Sequence, residues 1–533
     1  MDIRTVEMLF LLLLLFIIAF GQFARKIRTP YPIVMIVGGL LLGLIPAIPP
    51  ITLDPDLIFL VVLPPLLYSS AWTTSWRDFR IHLVSILFLA FGLVGFTVLG
   101  VAWVTPKVLS AFDWRLALVL GAVVAPTDAI AATSIAKRIG LPSRIVDVLE
   151  GESLINDATG LLALQFAIAI VVSRTVPTVS EGLLSLTWLT VGGVGLGLLI
   201  AWIVYLVERR IEDGPIEIAL SILTPYAAYF IADEAHASGV LAVVACGLFL
   251  TRRSAVMFSP SVRIQIWSFW QSFTFVLNGL VFLLIGLQLP SILASIREYS
   301  LSRMMLDGAI FSLVLIALRL AWVFPGSWLA NFVHCRIHHT KKRAPRPREA
   351  FVIGWTGMRG VVSLAAALAL PTVLADGSPF PQRSFIVFLT FSVILVTLVL
   401  QGVTLAPLIR LLGLGGSAGP SCEEQEARRI VLEAALAYLE TTKAERVNVS
   451  DEIFDDLIGH YRHRLATLEP TEADQEHVAH HYSFIEISRE TARIERETAV
   501  RLRNDGRIND QVLRRIEREL DFEDSRFSNA YDE

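Results

Sequence analysis

The sequence has few charged residues for its length, and the shortage is confined to one part of the chain. Charged residues make up 18% of the 533 positions and hydrophobic residues 54%, whereas soluble proteins average about 25% charged residues. Residues 1–411 carry 29 basic and 22 acidic residues, a net of +7, and residues 412–533 carry 16 and 27, a net of −11. A long apolar block is therefore followed by a charged tail.

Cysteines and catalytic motifs are also scarce. The three cysteines, Cys246, Cys335 and Cys422, fit no metal-site spacing, and we expect reduced thiols without disulfides. Lys and Arg form short clusters between apolar runs rather than a continuous basic face, which argues against nucleic acid as a partner. The sequence shows no nucleophile–base set, metal-ligand cluster or phosphate-binding loop. It therefore predicts neither an enzyme nor a bound cofactor.

What the block does contain is apolar stretches long enough to cross a bilayer, which takes ~20 residues as a helix. The first stretch runs directly into Arg25 and Lys26 without a cleavage pattern, so we interpret it as a retained helix rather than a signal peptide. Several stretches are short or interrupted, which leaves twelve spans open as an alternative to thirteen. The thirteen lie roughly at 5–24, 30–48, 56–72, 82–103, 115–136, 143–173, 182–208, 216–234, 236–251, 264–290, 303–333, 350–371 and 382–411.

The distribution of basic residues between the spans predicts the orientation. With thirteen spans, one set of loops carries 19 Lys and Arg, and the other set, with the N-terminus, carries 7. Cytoplasmic loops hold the excess of Lys and Arg in membrane proteins. We therefore expect a multi-pass protein of the plasma membrane with its N-terminus outside and its charged tail in the cytoplasm.

Polar residues interrupt the sixth span, 143–173, although charges are costly inside a membrane and usually mark a functional site. They lie three and four residues apart, so most of them share one stripe of a helix. The stripe consists of Ser153, Asn156, Asp157 and Gly160, with Glu152 beside it.

Two further spans contain helix breakers. In GAVVAPTDAIAATSIA, Pro126 removes a backbone donor directly before Thr127 and Asp128. In GWTGMRGVVSLAAALALP, Arg359 is flanked by glycines. The two spans are the fifth and the second from the end, and interrupted helices at matched positions indicate the substrate site of an inverted-repeat transporter.

These stretches resemble signature sequences of the monovalent cation:proton antiporter family, which includes the bacterial and archaeal sodium/proton antiporters and the animal sodium/hydrogen exchangers. The resemblance covers nearly all of residues 1–411 and rests on GAVVAPTDAIA, EGESLINDATGLLAL, ASGVLAVVACGLFL, MRGVVSLAAALALP and LPPLLYSSAW. It implies exchange of sodium or lithium, sometimes potassium, for protons.

The resemblance also implies an all-α polytopic fold of about thirteen transmembrane helices, built as an inverted repeat with two crossed, unwound helices. A core bundle would comprise about 82–173 and 303–411, and a dimerisation part about 5–72 and 182–290, which together form a transmembrane domain over 1–411. The helices of the dimerisation part would join two copies of the chain in a homodimer.

Carried over residue by residue, the resemblance implies an ion site. Asp157 matches the aspartate that binds ion and proton, and Asn156 matches its partner. Thr127 and Asp128 match the Thr-Asp of the first unwound helix, and Ser153 matches a hydroxyl of the site. Sodium would therefore be held at Asp157, Asp128, Ser153 and Thr127.

Three other residues receive supporting roles from the resemblance. Glu152 matches a glutamate that pairs with an arginine, here Arg319, and we expect this pair to hold two helices together. Arg359 matches the arginine of the second unwound helix, where it either compensates the site's charge or braces the unwound segment. One position departs from the pattern, because many bacterial members have an acidic residue where this chain has Ser69. If that carboxylate helps to hold the ion through water, its loss is expected to lower ion affinity or to shift ion selectivity.

The chemistry of exchange requires proton and cation to compete for one group. Burial raises the pKa of a carboxyl and a nearby cation lowers it, and hard cations prefer oxygen ligands. Because Asn156 is neutral, the pair with Asp157 contributes one titratable group, which predicts electroneutral exchange of one sodium for one proton. This accounting requires Asp128 to stay ionised, with its charge offset by Arg359.

The tail has a different composition. Residues 412–420 include GLGGSAGP, typical of a flexible linker, and residues 421–533 contain amphipathic stretches with alternating Glu and Arg, typical of solvated helices. We predict a helical cytoplasmic domain, regulatory or dimer-contacting, without a catalytic motif.

Four other functions compete with this one, of which a membrane enzyme ranks last. Potassium/proton exchange uses the same ligand types as sodium/proton exchange. A channel needs a continuous polar lining, a membrane enzyme needs a catalytic set, and a sensor would use its membrane part only to control the tail.

Overall fold

The structure is a computed structural model, and the residues that it describes are mostly helical, with no β-strand among them. The chain folds as two compact units, Met1–Ser417 and Ala418–Glu533. The described residues are 3–45, 54–173, 179–211, 213–296, 300–338, 346–374, 377–415, 422–445, 450–468 and 475–528.

The first unit consists of α-helices, here α1 to α20. Four π-helical turns join α3 to α4, α5 to α6, α10 to α11 and α19 to α20; they are Ile58–Val62, Phe88–Leu93, Trp188–Gly192 and Thr397–Gln401. The helices in chain order are Ile3–Lys26, Tyr31–Gly43, Pro55–Leu57, Leu63–Thr73, Trp76–Leu87, Val94–Val108, Trp114–Val124, Ile130–Ile139, Ser143–Ser173, Val179–Thr187, Gly193–Glu208, Gly214–Glu234, Gly239–Met257, Pro260–Leu287, Leu289–Ala294, Leu301–His338, Pro347–Trp355, Val361–Leu368, Arg383–Val396 and Gly402–Leu411.

These helices confirm the predicted all-α polytopic fold. Within the described residues, nine helical stretches are long and apolar enough to cross a membrane, and two shorter apolar helices are Tyr31–Gly43 and Trp114–Val124. Each of the thirteen predicted stretches coincides with a helix or a pair of consecutive helices. The exact number of thirteen spans stays a prediction.

Two of the thirteen stretches are broken in the middle. Helix α7 ends at Val124 and α8 begins at Ile130, because Pro126 has no N–H to continue the helical ladder. Helix α17 ends at Trp355 and α18 begins at Val361, across a segment that contains two glycines. The segments 125–129 and 356–360, here called the first and second break, therefore carry backbone groups free of helical hydrogen bonds.

Two long helices enclose the breaks. Helix α9, with 31 residues, packs against α7 and α8, and α16, with 38 residues, packs against α17 and α19. Helix α7 is almost entirely buried among its neighbours. The breaks are thus fixed by the packing of buried helices around them.

The described part of the second unit contains four helices, α21 (Cys422–Glu445), α22 (Asp451–Ala466), α23 (Gln475–Asn504) and α24 (Asp510–Ser528). Leu436 of α21 packs against Phe454 and Ile458 of α22. Exposed ion pairs, such as Arg496 with Asp521 at 2.6 Å, join α23 to α24. Of the predicted linker 412–420, residues 412–415 are described and lie beyond the end of α20, and the remainder lies outside the described residues.

Candidate functional site

The two breaks contact each other directly through their backbones. The N–H of Asp128 in the first break donates to the carbonyl oxygen of Met358 in the second, at 2.8 Å. The Nε of Arg359 donates to the carbonyl oxygen of Val124, at 3.1 Å, and its backbone N–H donates to Thr397 Oγ1, at 3.1 Å. The interrupted helices therefore cross where their backbones are unwound.

Thr127 connects the first break to helix α9. Its hydroxyl donates to Glu152 Oε1 at 3.1 Å and accepts from Asn156 Nδ2 at 2.5 Å. Its carbonyl oxygen accepts from the hydroxyl of Ser153 at 3.0 Å. Because all three partners lie on α9, this one threonine fixes the break against the helix that carries the predicted acid.

Glu152 and Arg319 form a fully buried, bidentate ion pair between α9 and α16. Arg319 donates from one terminal nitrogen to Oε1 at 2.6 Å and from the other to Oε2 at 3.0 Å. The second nitrogen also donates to the carbonyl oxygen of Ile353 at 3.2 Å. The arginine lies so close to the second break that a Cβ on Gly357 would overlap its side chain. The pair thus ties α9 to the end of α17.

Asp157 differs from these residues because its carboxylate has no hydrogen-bond or ion-pair partner within the described part of the chain. Its side chain is only 8% exposed and lines a cavity of about 240 Å³. Thr127, Asp128 and Ser153 line the same cavity. The carboxylate is therefore buried from bulk solvent but faces enough space for several water molecules, each of which takes about 30 Å³.

Asp128 lies at the crossing itself. Its Oδ1 accepts from the N–H of Ile130 at 2.8 Å, at the start of α8. A Cβ on Gly360 would overlap the Asp128 carboxylate, so only glycine allows the second break to approach this closely. The acid also lies at the N-terminus of α8, where the helix dipole favours negative charge.

Arg359 directs its side chain at the backbone and not at a carboxylate. Besides Val124, its guanidinium donates to the carbonyl oxygen of Gly357. The described residues contain no ion pair between Arg359 and Asp128. These bonds suit a role of Arg359 in bracing the two breaks where they cross. Arg359 could offset the charge of Asp128 only through space, without direct contact.

Asn156 places its amide nitrogen on Thr127, but its Oδ1 has no protein partner among the described residues. The carbonyl oxygen is a neutral cation ligand. The structure therefore brings five predicted residues to one place: Thr127, Asp128, Ser153 and Asp157 on the cavity wall and Asn156 next to them.

The sequence analysis assigned no role in the site to five uncharged polar residues that line the cavity: Ser70, Thr73, Thr133, Asn278 and Ser363. Asn278 lies in the middle of the apolar helix α14 and its Oδ1 has no partner among the described residues; its isolation within FVLNGLVF was the available signal. Ser69, the position that departs from the family pattern, is half-buried and does not line the cavity, whereas Ser70 and Thr73 are polar residues of α4 that do.

The cavity extends from Asp157 to the junction between α8 and α9. There Lys137 and Glu150 form an ion pair at 2.7 Å that lines the cavity. A buried acid that faces a cavity, flanked by hydroxyl and carbonyl oxygens on unwound helices, suits the binding of a small cation or a proton. The fold and the site together define a polytopic membrane transporter.

Comparison with known proteins identifies the family. The family model described as "Sodium/hydrogen exchanger, transmembrane" matches residues 10–411, and the chain belongs to this family of transporters. An uncharacterised Na(+)/H(+) exchanger of Mycobacterium tuberculosis is 35% identical over 94% of this chain and 92% of its own length. A sodium, potassium, lithium and rubidium/H(+) antiporter of Bacillus pumilus is 33% identical over 83% of this chain and 66% of its own length.

The fold is similar to that of a solved antiporter. The sodium/proton antiporter MjNhaP1 from Methanocaldococcus jannaschii aligns with a TM-score of 0.60, covering 78% of this chain and 100% of that chain, at 19% identity. This likeness confirms the predicted antiporter fold.

Proposed function

We propose that this protein exchanges sodium, or lithium, for protons across the plasma membrane by alternating access, with the two ions competing for Asp157. The observation that carries the proposal is the Asp157 carboxylate, which faces the cavity without a partner among the described residues. Every other predicted polar residue of the site bonds a protein group, so Asp157 is the carboxylate left to take an ion.

Competition follows from the surroundings of that carboxylate. A bare anion in a nearly dry site is costly, whereas a protonated or sodium-bound carboxylate is neutral. Sodium would be held by Asp157 and Asp128 together with oxygens of Ser153 and Thr127. A site that crosses the barrier only when occupied couples the two ion fluxes.

The supporting residues act by position in this proposal. Glu152 and Arg319 fix α9 to α16, Asn156 fixes Thr127, and Arg359 braces the crossing and offsets the charge of Asp128 at a distance. Asp128 stays ionised, stabilised by the N-terminus of α8.

The direction of the cavity indicates from which side of the membrane the Asp157 site is accessible in this conformation. The cavity leads to Lys137, which belongs to the set of loops richer in Lys and Arg. If that set is cytoplasmic, this conformation faces the cytoplasm, with the N-terminus outside and the tail inside. Protease accessibility of an epitope on the tail in right-side-out vesicles tests the orientation.

We also propose that the protein is a homodimer, formed through the part comprising about 5–72 and 182–290, with the core bundle of about 82–173 and 303–411 moving against it. Light scattering of the detergent-purified protein tests this proposal, and a monomeric mass would contradict it.

Potassium/proton exchange is the second candidate. The relative from Bacillus pumilus carries potassium and rubidium in its name, and hydroxyl, carbonyl and carboxylate oxygens bind either ion. Comparing sodium, lithium and potassium in one transport assay separates the two candidates.

The decisive experiment is the dissipation of a pH gradient in proteoliposomes by added sodium, lithium or potassium. The native protein should collapse the gradient, and the sodium concentration for half-maximal rate should rise as pH falls, because protons occupy the carboxylate that sodium needs. Asp157→Asn should reduce the rate to that of empty vesicles, since an amide neither releases a proton nor binds sodium as an anion.

The matched control is Asp147→Asn, which removes an acid from the same helix α9 at a position that does not line the cavity. This variant should exchange at nearly the native rate. Native exchange by Asp157→Asn would refute the proposal.

A further inference from the structure

A second, larger cavity of about 1360 Å³ lies apart from Asp157. It is bounded by the end of α1, the turn that follows it, the last turns of α8, one side of α20 from Gly402 to Arg410, and the middle of α14. Among the described residues, no acidic side chain lines it, and four arginines do: Arg25, Arg28, Arg138 and Arg410. We call this cavity the basic pocket.

The charge of the basic pocket is not balanced by the protein around it. None of the four arginines forms an ion pair with a carboxylate among the described residues. Arg138 instead donates to the backbone carbonyl oxygen of Arg28 at 2.8 Å. Four like charges around one cavity repel each other, which a bound anion would relieve.

The turn that carries Arg28 is strained. Its φ of 55° lies in the left-handed region, which is unfavourable for a residue with a side chain. The conformation is held by the N–H of Thr29, which donates to the carbonyl oxygen of Ala24 at 3.0 Å, and by the bond from Arg138. The left-handed conformation places Arg28 at the pocket, since a right-handed or extended conformation at this residue would change the direction of the chain.

One part of the remaining wall is apolar, where Phe275 and Val276 of α14 and Val403 and Ala406 of α20 line the pocket. Hydroxyl and amide side chains line other parts of it: Thr29, Ser134, Gln271, Ser272 and Thr274. Val403 is 59% exposed and lies within a helix apolar enough to cross the membrane. The apolar wall is therefore continuous with the lipid-facing surface, while the arginines lie at the ends of helices, where the bilayer meets water.

We propose that the basic pocket binds an anionic phospholipid, with the phosphate of its headgroup between the arginines and an acyl chain along the apolar wall. Basic pockets between transmembrane helices suit such headgroups, and guanidinium groups bind phosphate oxygens in pairs. A free phosphate shares the charge but leaves the apolar wall unused. A bound lipid would join α1, α8 and α20, and α8 begins next to Asp128.

The test measures lipid binding without any ion gradient, so its outcome is independent of the proposed exchange. The full chain, purified in detergent, is titrated with phosphatidylglycerol, phosphatidylcholine, inorganic phosphate or glycerol 3-phosphate, and its melting temperature is recorded. Native mass spectrometry counts the retained lipids. Phosphatidylglycerol should raise the melting temperature, and the other three should not.

The variant is Arg25→Gln with Arg410→Gln, because these two arginines make no side-chain bond to the described protein residues that folding would lose. Because two of the four positive charges that attract the headgroup phosphate are removed, the double variant should need at least about tenfold more phosphatidylglycerol for the half-maximal shift. Arg410→Gln alone, as a milder variant, should show a smaller change in the same direction.

The matched control is Lys26→Gln, which removes a charge from the same end of α1 at a position that does not line the pocket. It should respond like the native protein. An equal response of the double variant and the native protein, or an equal shift by phosphatidylcholine, would overturn the proposal. Equal protection by glycerol 3-phosphate or inorganic phosphate would assign the pocket to a soluble anion instead.

Discussion

At the scale of single residues, the site depends on which polar groups are already bonded. Thr127 forms hydrogen bonds with three residues of α9 through its hydroxyl group and its carbonyl oxygen. Asp157 directly follows Asn156 in the sequence, but its side chain faces the cavity. Because neighbouring helix positions point about 100° apart, the asparagine reaches the break while the aspartate reaches the cavity.

Gly360 provides a test at this scale. Gly360→Ala places a methyl group against the Asp128 carboxylate, whose backbone is fixed by its bond to Met358. Overpacking of this kind costs about 1–3 kcal/mol, and we expect a lower melting temperature together with at least tenfold slower exchange.

The control for this substitution is Gly95→Ala in α6, where an added Cβ meets no atom within 4 Å. Alanine is the better helix former, so this variant should be at least as stable as the native protein and should exchange normally. Normal exchange by Gly360→Ala would show that the close approach of the two breaks is dispensable.

At the scale of helices, the buried ion pair between α9 and α16 holds the site together. A buried pair is a weak source of net stability, but removing one member leaves an uncompensated charge and costs about 3–5 kcal/mol. Arg319 also donates to the end of α17 through the carbonyl oxygen of Ile353. The pair therefore affects three helices at once.

Arg319→Ala should accordingly reduce the amount of folded protein in the membrane before it changes sodium affinity. Fluorescence-detected size exclusion measures the abundance, and transport by the remaining protein measures the affinity. Combining Arg319→Met with Glu152→Gln should recover part of the abundance, because the stranded charge is removed while Thr127 keeps its acceptor.

A suitable control on the same helix is Arg303→Ala, which removes an exposed arginine near the start of α16. Its abundance should match that of the native protein. Native abundance of Arg319→Ala with altered sodium affinity would assign Arg319 to the ion site and not to the assembly of the helices.

At the scale of the whole molecule, the number of charges that cross the membrane with the site decides whether an exchange cycle moves net charge. In the proposed mechanism Asn156 is neutral, so one carboxylate, that of Asp157, would exchange one proton for one sodium. Asp128 and Arg359 lie on the two breaks and keep opposite charges throughout the cycle in the proposed mechanism.

Exchange should therefore be electroneutral. In proteoliposomes with an imposed potassium diffusion potential, the rate of sodium-driven proton flux should be independent of membrane voltage, and no net current should flow. A steady current that follows voltage would show that a second group titrates or that more than one proton moves per sodium.

The sequence by itself determined the class of fold, since apolar length and helix breakers act locally, and it predicted the site residues. Hydrophobic stretches predicted where helices lie, Pro126 and the glycines predicted both breaks, and the family motifs predicted Asp157 and its neighbours. These features depend on residue type and spacing along one chain.

Only the tertiary structure decided which groups face each other. The bond between Asp128 and Met358, the bonding of Arg359 to backbone carbonyls, and the presence of Asn278 and Ser70 at the cavity all join segments distant in sequence. The basic pocket likewise combines arginines from three parts of the chain. Such contacts depend on how helices cross, because crossing geometry is set by the packing of many side chains and not by any one stretch.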